Sequence, residues 1–66
     1  IKEVKQMITV TFNGDPATYD EGMRWYVIEE MRANRDRCKK GSRAYKEFDK
    51  AMKLLTFGLN DVSIDY

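Results

Sequence analysis

Residues 4–12 alternate between apolar and polar side chains. The even-numbered positions are apolar except for Gln6, and they are Val4, Ile8, Val10 and Phe12. Successive side chains of a β-strand point to opposite faces, so a period of two buries one face and leaves the other in water. Several residues here are also β-branched, which favours the same backbone. We therefore predict a half-buried strand over residues 4–12.

The following residues carry the signals of a turn and of a helix start. Asn13-Gly14 is typical of a tight hairpin, but no second alternating run follows it. Instead, Thr18 and Glu21 have the spacing of a capping box, and Asp15-Pro16 is an alternative cap. We expect a first helix from about residue 19 to between residues 34 and 40.

Gly41 and Ser42 mark the boundary with a second helix. Glycine readily adopts the left-handed conformation that ends a helix, and serine is a preferred N-cap. The apolar positions that recur at helical spacing after this boundary are Ala44, Phe48, Ala51, Met52 and Leu55. We expect this helix to end near Thr56, with Gly58 in the left-handed conformation and Leu59 folded back onto the last turn.

Residues 61–66 alternate again, with Val62, Ile64 and Tyr66 on the apolar side. They predict a second strand and the order β-α-α-β. Short connections reverse the chain at each step, so the two strands should be antiparallel, and they need a helical layer on one face. We predict an α+β fold, a single small domain over residues 1–66. Its helical hairpin packs on one face of a two-stranded antiparallel sheet, and both strands are open edges.

Composition favours a folded chain that does not enter a membrane. Hydrophobic residues make up 42% of the sequence and charged residues 35%, and no apolar run approaches the ~18 residues that a membrane span needs. The first ten residues lack the apolar stretch of a signal peptide. Cys38 is the only cysteine, so we expect a free thiol in a reducing compartment, the cytoplasm.

The residue types that most enzymes and metal sites need are scarce. The chain has no His and one Cys, which excludes nucleophile–His pairs and a structural zinc site. Its glycines are scattered rather than gathered in a phosphate loop, and its carboxylates lack calcium-loop spacing. We therefore expect no catalytic activity, no metal and no cofactor.

Charge is strongly separated along a chain whose net charge is only +1. Residues 13–31 hold one arginine against five carboxylates, a net charge of −4. Residues 32–43 hold six cations against Asp36, a net charge of +5. We call these cations the basic tip; they are Arg32, Arg35, Arg37, Lys39, Lys40 and Arg43. Such a cluster fits a solvated helix end, an acidic protein surface or nucleic acid.

Trp25, Ile28 and Glu30 stand out on the first helix. At about 100° per residue, Trp25 and Ile28 form a secondary apolar patch opposite the main apolar arc. This patch either packs against the second helix or is an exposed anchor for a partner. Glu30 falls on the apolar arc, where it is either a rim residue bonded to a tyrosine hydroxyl or a buried polar anchor.

These features favour binding over catalysis. The first hypothesis is a non-enzymatic protein-binding module, an inhibitor or adaptor that occludes an acidic surface of a larger partner through Trp25, Ile28 and the basic tip. Small accessory proteins of phages are an analogy of size only. The alternative is a nucleic-acid-binding protein that presents the basic tip as a dimer. Self-association through strand edges or an apolar patch is compatible with both.

Overall fold

The computed structural model describes residues 6–66, which form three strands and two α-helices in the order β-β-α-α-β. The elements are β1 (Met7–Phe12), β2 (Asp15–Asp20), a 3₁₀ turn (Glu21–Met23), α1 (Arg24–Arg37), α2 (Arg43–Thr56) and β3 (Asp61–Ile64). The α+β class and the helical hairpin are confirmed. Val4, the first residue of the expected strand, lies outside the described residues.

Within residues 6–66 the sheet has three strands, in the order β2-β1-β3. β1 is antiparallel to β2 and parallel to β3. The prediction of a two-stranded antiparallel sheet is therefore wrong in both the number and the direction of its strands. β1 is the central strand rather than an open edge, and the described edges are β2 and β3.

The strand that the sequence prediction lacked begins at the Asn13-Gly14 turn. Both turn residues have positive φ, 47° for Asn13 and 92° for Gly14, as the tight turn of a two-residue hairpin requires. β2 itself was hard to recognise because only Ala17 and Tyr19 are partly buried along it. Its Pro16 is tolerated because an edge strand has amides that need no ladder partner.

The additional strand also moves the start of the first helix. Asp20 caps the 3₁₀ turn, with Oδ1 accepting a hydrogen bond from the Gly22 amide at 3.1 Å, and α1 itself begins only at Arg24. The expected capping box of Thr18 and Glu21 is therefore wrong, and so is a helix start near residue 19. α1 ends at Arg37, so Gly41, at φ 85°, lies in the loop between the helices rather than directly at the helix end.

The second helix follows its sequence signals closely. Ser42 Oγ accepts from the Tyr45 amide at 3.2 Å, which is the predicted N-cap. At the other end the Gly58 amide donates to the Leu55 carbonyl, and the Leu59 amide donates to the Leu54 carbonyl, both at 3.1 Å. These two bonds are the predicted Schellman motif.

The core lies between the sheet and the helical hairpin. Its buried members are Ile8, Val10, Val62 and Ile64 from the sheet, Val27, Ile28 and Met31 from α1, and Phe48, Ala51 and Leu55 from α2. The inward position expected for Tyr66 is wrong, because β3 ends before it and its side chain is 56% exposed. Its ring still packs on Phe48, with centroids 5.7 Å apart. None of the described helices has the length and apolarity of a membrane span.

Candidate functional site

The antiparallel helical hairpin gives the molecule two chemically different ends. The start of α1 and the end of α2 lie together at one end, and the basic tip lies at the other, in and around the loop between the helices. The two ends are joined by α1, which has 14 residues and is therefore about 20 Å long.

Arg24 connects the first turn of α1 to the C-terminal end of α2. Its Nη1 donates to the carbonyl oxygens of Leu55 at 2.9 Å and Leu59 at 3.0 Å, and its Nη2 donates to the side chain of Asn60. Glu21 lies 3.7 Å from the same guanidinium. A cation at the C-terminus of α2 adds a donor to the carbonyls that follow the last helical turn and complements the helix dipole.

Exposed apolar side chains gather around this Arg24 contact. Trp25 is 70% exposed and Phe57 is 83% exposed. Met23 and Leu59, each two residues from one of these rings in the chain, are 42% and 47% exposed. We call Met23, Trp25, Phe57 and Leu59 the apolar end.

Of the two residues predicted to form an apolar patch on the first helix, only Trp25 is at the surface. Ile28 is 5% exposed and belongs to the core. The alternative that placed Trp25 against the second helix is wrong, because a side chain packed between elements would not keep 70% of its surface in water. Ile28 was misplaced because α1 buries a wide arc, which contacts both the sheet and α2.

The basic tip contains five exposed cations and one cation, Arg35, that is paired with a carboxylate of α2. Five of its members are exposed: Arg32, Arg37, Lys39, Lys40 and Arg43. Arg35 is different, because its side chain is 18% exposed and donates to Asp49 at 2.9 Å. Its guanidinium also lies 5.6 Å from the centre of the Tyr45 ring. Arg35 therefore joins the two helices.

Asp49 is the hub of this ion-pair network. Its second carboxylate oxygen lies 2.9 Å from Lys53 Nζ. The hydrogen bond from Lys53, followed by that from Arg35, lowers the pKa of Asp49. The pKa of Arg35 is raised, mainly by its hydrogen bond to Asp49.

Glu30 is exposed, as a rim residue should be. Hydrogen bonding to Glu30, followed by the negative charge of its carboxylate, raises the pKa of Tyr26. The exposure of Glu30 fits the rim alternative and not the buried anchor.

Sequence reasoning missed a row of cations along the solvent side of α2. Its members are Arg43, Lys46, Lys50 and Lys53, and all four side chains are exposed. At about 100° per residue they fall within an arc of about 80°, opposite the buried Phe48, Ala51 and Leu55. Their spacing of i, i+3, i+7 and i+10 was visible in the sequence. The denser positive charge of residues 32–43 conceals this spacing.

A shallow groove of about 400 Å³ runs beside this row, lined by Tyr45, Lys46, Asp49, Lys50, Lys53 and Leu54. A second one, of about 330 Å³, is lined by Tyr26, Glu29, Glu30, Ala33 and Arg37. Within residues 6–66, no three His, Cys, Asp or Glu side chains are grouped closely enough to hold a metal ion.

The candidate site is thus the solvent side of the helical hairpin, with an apolar end, a basic tip and a row of cations between them. Compared with models of known protein families, with curated proteins and with solved structures, this chain matches none.

Proposed function

We propose that this chain is a non-enzymatic protein-binding module, an inhibitor or adaptor that occludes a surface of a larger partner. The observation that carries the proposal is the 70% exposure of Trp25 within the apolar end. Exposing a large ring costs free energy that a partner's pocket would recover. Tryptophan is also among the residues most enriched at the energetic centres of protein interfaces.

The backbone around Trp25 supports this role because it is held in place. Arg24, the preceding residue, donates to the carbonyls of Leu55 and Leu59 from the other helix. A ring on a fixed helical turn loses less conformational freedom on binding than a ring on a mobile loop, so more of its burial appears as affinity.

The basic tip sets the charge expected of the partner. Its exposed cations lie about 20 Å from the apolar end, a distance that one interface of ordinary size, about 800 Å² on each partner, covers easily. We infer a partner with an apolar pocket for Trp25 and an acidic area beside it. The acidic area would raise the association rate and select the orientation more than it would raise affinity.

The lone thiol supports a cytoplasmic location for this function. Cys38 is half-buried, and its Sγ donates to the carbonyl of Asn34 at 3.2 Å. A reducing compartment would keep this thiol free.

The test is capture of partners from the native host lysate, with nuclease present throughout, by the wild-type chain and by Trp25→Ala. A matched control is Tyr26→Ala, which removes an aromatic ring that is 53% exposed from the next position of the same helix. We expect Trp25→Ala to lose the captured protein and to bind the purified partner at least about ten-fold more weakly, while Tyr26→Ala retains it. Equal binding by wild type and Trp25→Ala would refute the proposal.

Fluorescence provides an independent readout, since Trp25 is the only tryptophan. The free protein should emit at the wavelength of solvent-exposed tryptophan and shift little on unfolding. Addition of the purified partner should shift the emission to the blue as the ring enters a pocket. An unchanged emission maximum in the saturated complex would place the interface elsewhere.

A further inference from the structure

We propose that the row of cations on α2 binds the backbone of single-stranded nucleic acid, and that Phe57 stacks on one of its bases. This activity goes beyond the proposed protein-binding function. It uses Arg43, Lys46, Lys50, Lys53 and Phe57. Arg43 also belongs to the basic tip and Phe57 to the apolar end, but Trp25 takes no part in it.

The geometry of the row is the first argument. Its four cations recur every three or four residues over about 15 Å of helix, and each is exposed. A nucleic-acid strand carries one negative charge at each regular step along its length, so a straight and regular row of cations is complementary to it. An acidic protein surface presents carboxylates without such a repeat.

The second argument is that the carboxylates of α2 do not neutralise most of the row. Asp49 is held by Arg35 and Lys53 at 2.9 Å each. Glu47 accepts from the Asp65 amide at 3.1 Å, on the side of α2 that faces β3. Among residues 6–66, Lys46 and Lys50 have no ion-pair partner. The row therefore projects positive charge into solvent, and it continues beyond Arg43 into the loop with Lys39 and Lys40.

The exposed ring of Phe57 favours single-stranded nucleic acid over a duplex as the ligand. It follows Lys53 by four residues, so it lies in line with the row, and it is 83% exposed. An exposed aromatic ring beside a cationic track is the combination that single-strand-binding surfaces use, because unpaired bases can stack on it. The bases of a duplex are already stacked on one another and offer the ring no free face.

The test is the fluorescence anisotropy of a labelled 20-nucleotide oligothymidylate titrated with the full chain at several salt concentrations. If three or four phosphates are neutralised, the logarithm of the affinity should fall with the logarithm of salt concentration with a slope of about −2 to −3. No binding at low salt, or an affinity that does not depend on salt, would overturn the proposal.

Variants then locate the site. Lys46→Glu/Lys50→Glu should weaken binding by at least about ten-fold, and Lys46→Gln/Lys50→Gln should weaken it less. The control Arg32→Glu/Arg37→Glu changes the net charge equally but lies on α1, and it should retain most of the affinity. Circular dichroism checks that each variant is folded. Equal losses in the two Glu pairs would show a response to overall charge and would remove the assignment to the row.

Phe57→Ala tests the stacking contact. It should weaken binding of the oligothymidylate on the order of ten-fold without changing the salt slope, and the wild type should prefer the single strand to a duplex of equal length. A silent Phe57→Ala together with equal binding of duplex would overturn the single-strand assignment. Trp25→Ala should bind the oligonucleotide as the wild type does, so this activity and the protein-binding function can succeed or fail separately.

Discussion

Arg35 donates a hydrogen bond to the carboxylate of Asp49 at 2.9 Å and thereby connects the two helices. In the sequence Arg35 is one of six cations in a dense basic segment, with nothing to distinguish it from its neighbours. In the fold its side chain is 18% exposed and also contacts the ring of Tyr45. Clustered charge in a sequence therefore combines residues that face a partner with residues that hold the fold together.

Asp49→Asn should destabilise the protein by about 1–2 kcal/mol, because a half-buried arginine loses its charged partner. Urea unfolding measures the change. Asp36→Asn is the control, since Asp36 also contacts Arg35, at 3.2 Å, but its side chain is 58% exposed. We expect that control to stay within about 0.5 kcal/mol of the wild type. Equal effects of the two substitutions would contradict the assignment of Asp49 as the hub.

The same network predicts how stability depends on acid. Lys53 and Arg35 lower the pKa of Asp49 in the folded state, so the ionised form is favoured by folding. This contribution is present above the pKa of about 3.9 that Asp has in an unfolded chain, and it is lost as pH falls through the lower folded value. NMR titration of Asp49 in the wild type and in Lys53→Met should show a higher pKa in the variant.

Arg24→Ala should destabilise the protein by about 1–3 kcal/mol, because the Leu59 carbonyl loses the guanidinium as a donor and the Leu55 carbonyl keeps the Gly58 amide without it. The last turn of α2 should fray first, so hydrogen exchange of the Leu59 amide should accelerate more than exchange in the middle of the helix. Arg32→Ala provides the control, since that side chain is 60% exposed. A uniform rise in exchange along α2 would contradict a local role for Arg24.

Gly14→Ala should lower the free energy of unfolding by about 1 kcal/mol. The φ of Gly14 is +92° and an added Cβ meets nothing within 4 Å, so the cost comes from the backbone conformation and not from a clash. Gly22→Ala is a matched control, because Gly22 lacks a positive φ and its added Cβ would lie 3.8 Å from Asp20. Thermal unfolding should separate the two variants, and equal midpoints would argue against the tight turn between β1 and β2.

Glu30→Gln should lower the pKa of Tyr26, because the hydroxyl loses its hydrogen bonding to a charged carboxylate and the neutral amide no longer repels the phenolate. Absorbance of the ionised tyrosine or NMR titration measures the change, and Glu29→Gln is the control. Because the pKa of Tyr26 is raised in the folded state, its interaction with Glu30 stabilises the fold at pH values below the unfolded pKa of about 10. That stabilisation is lost as pH rises through the folded pKa. Both residues are exposed, so the effect on unfolding at neutral pH should be small.

The elements with strong periodicity or clear end signals were determined by the sequence itself. Ser42 as N-cap, the Schellman motif at Gly58 and the buried face of α2 were all predicted and are all present. The alternation of β1 and β3 likewise placed Ile8, Val10, Val62 and Ile64 in the core. These features depend on local hydrogen bonds and on one apolar face, and a short stretch of sequence specifies both.

The topology was decided by tertiary structure. β2 has little apolar alternation and contains Pro16, so it becomes a strand only because the Asn13-Gly14 turn places it against β1. One additional strand changes the direction of every later element, and β3 therefore runs parallel to β1 rather than antiparallel. Tertiary structure also decided the candidate site. The exposure of Trp25, the burial of Ile28 and the pairing of Arg35 with Asp49 depend on which neighbours surround each side chain. Helical periodicity gives the direction of a side chain, and only packing determines what it meets there.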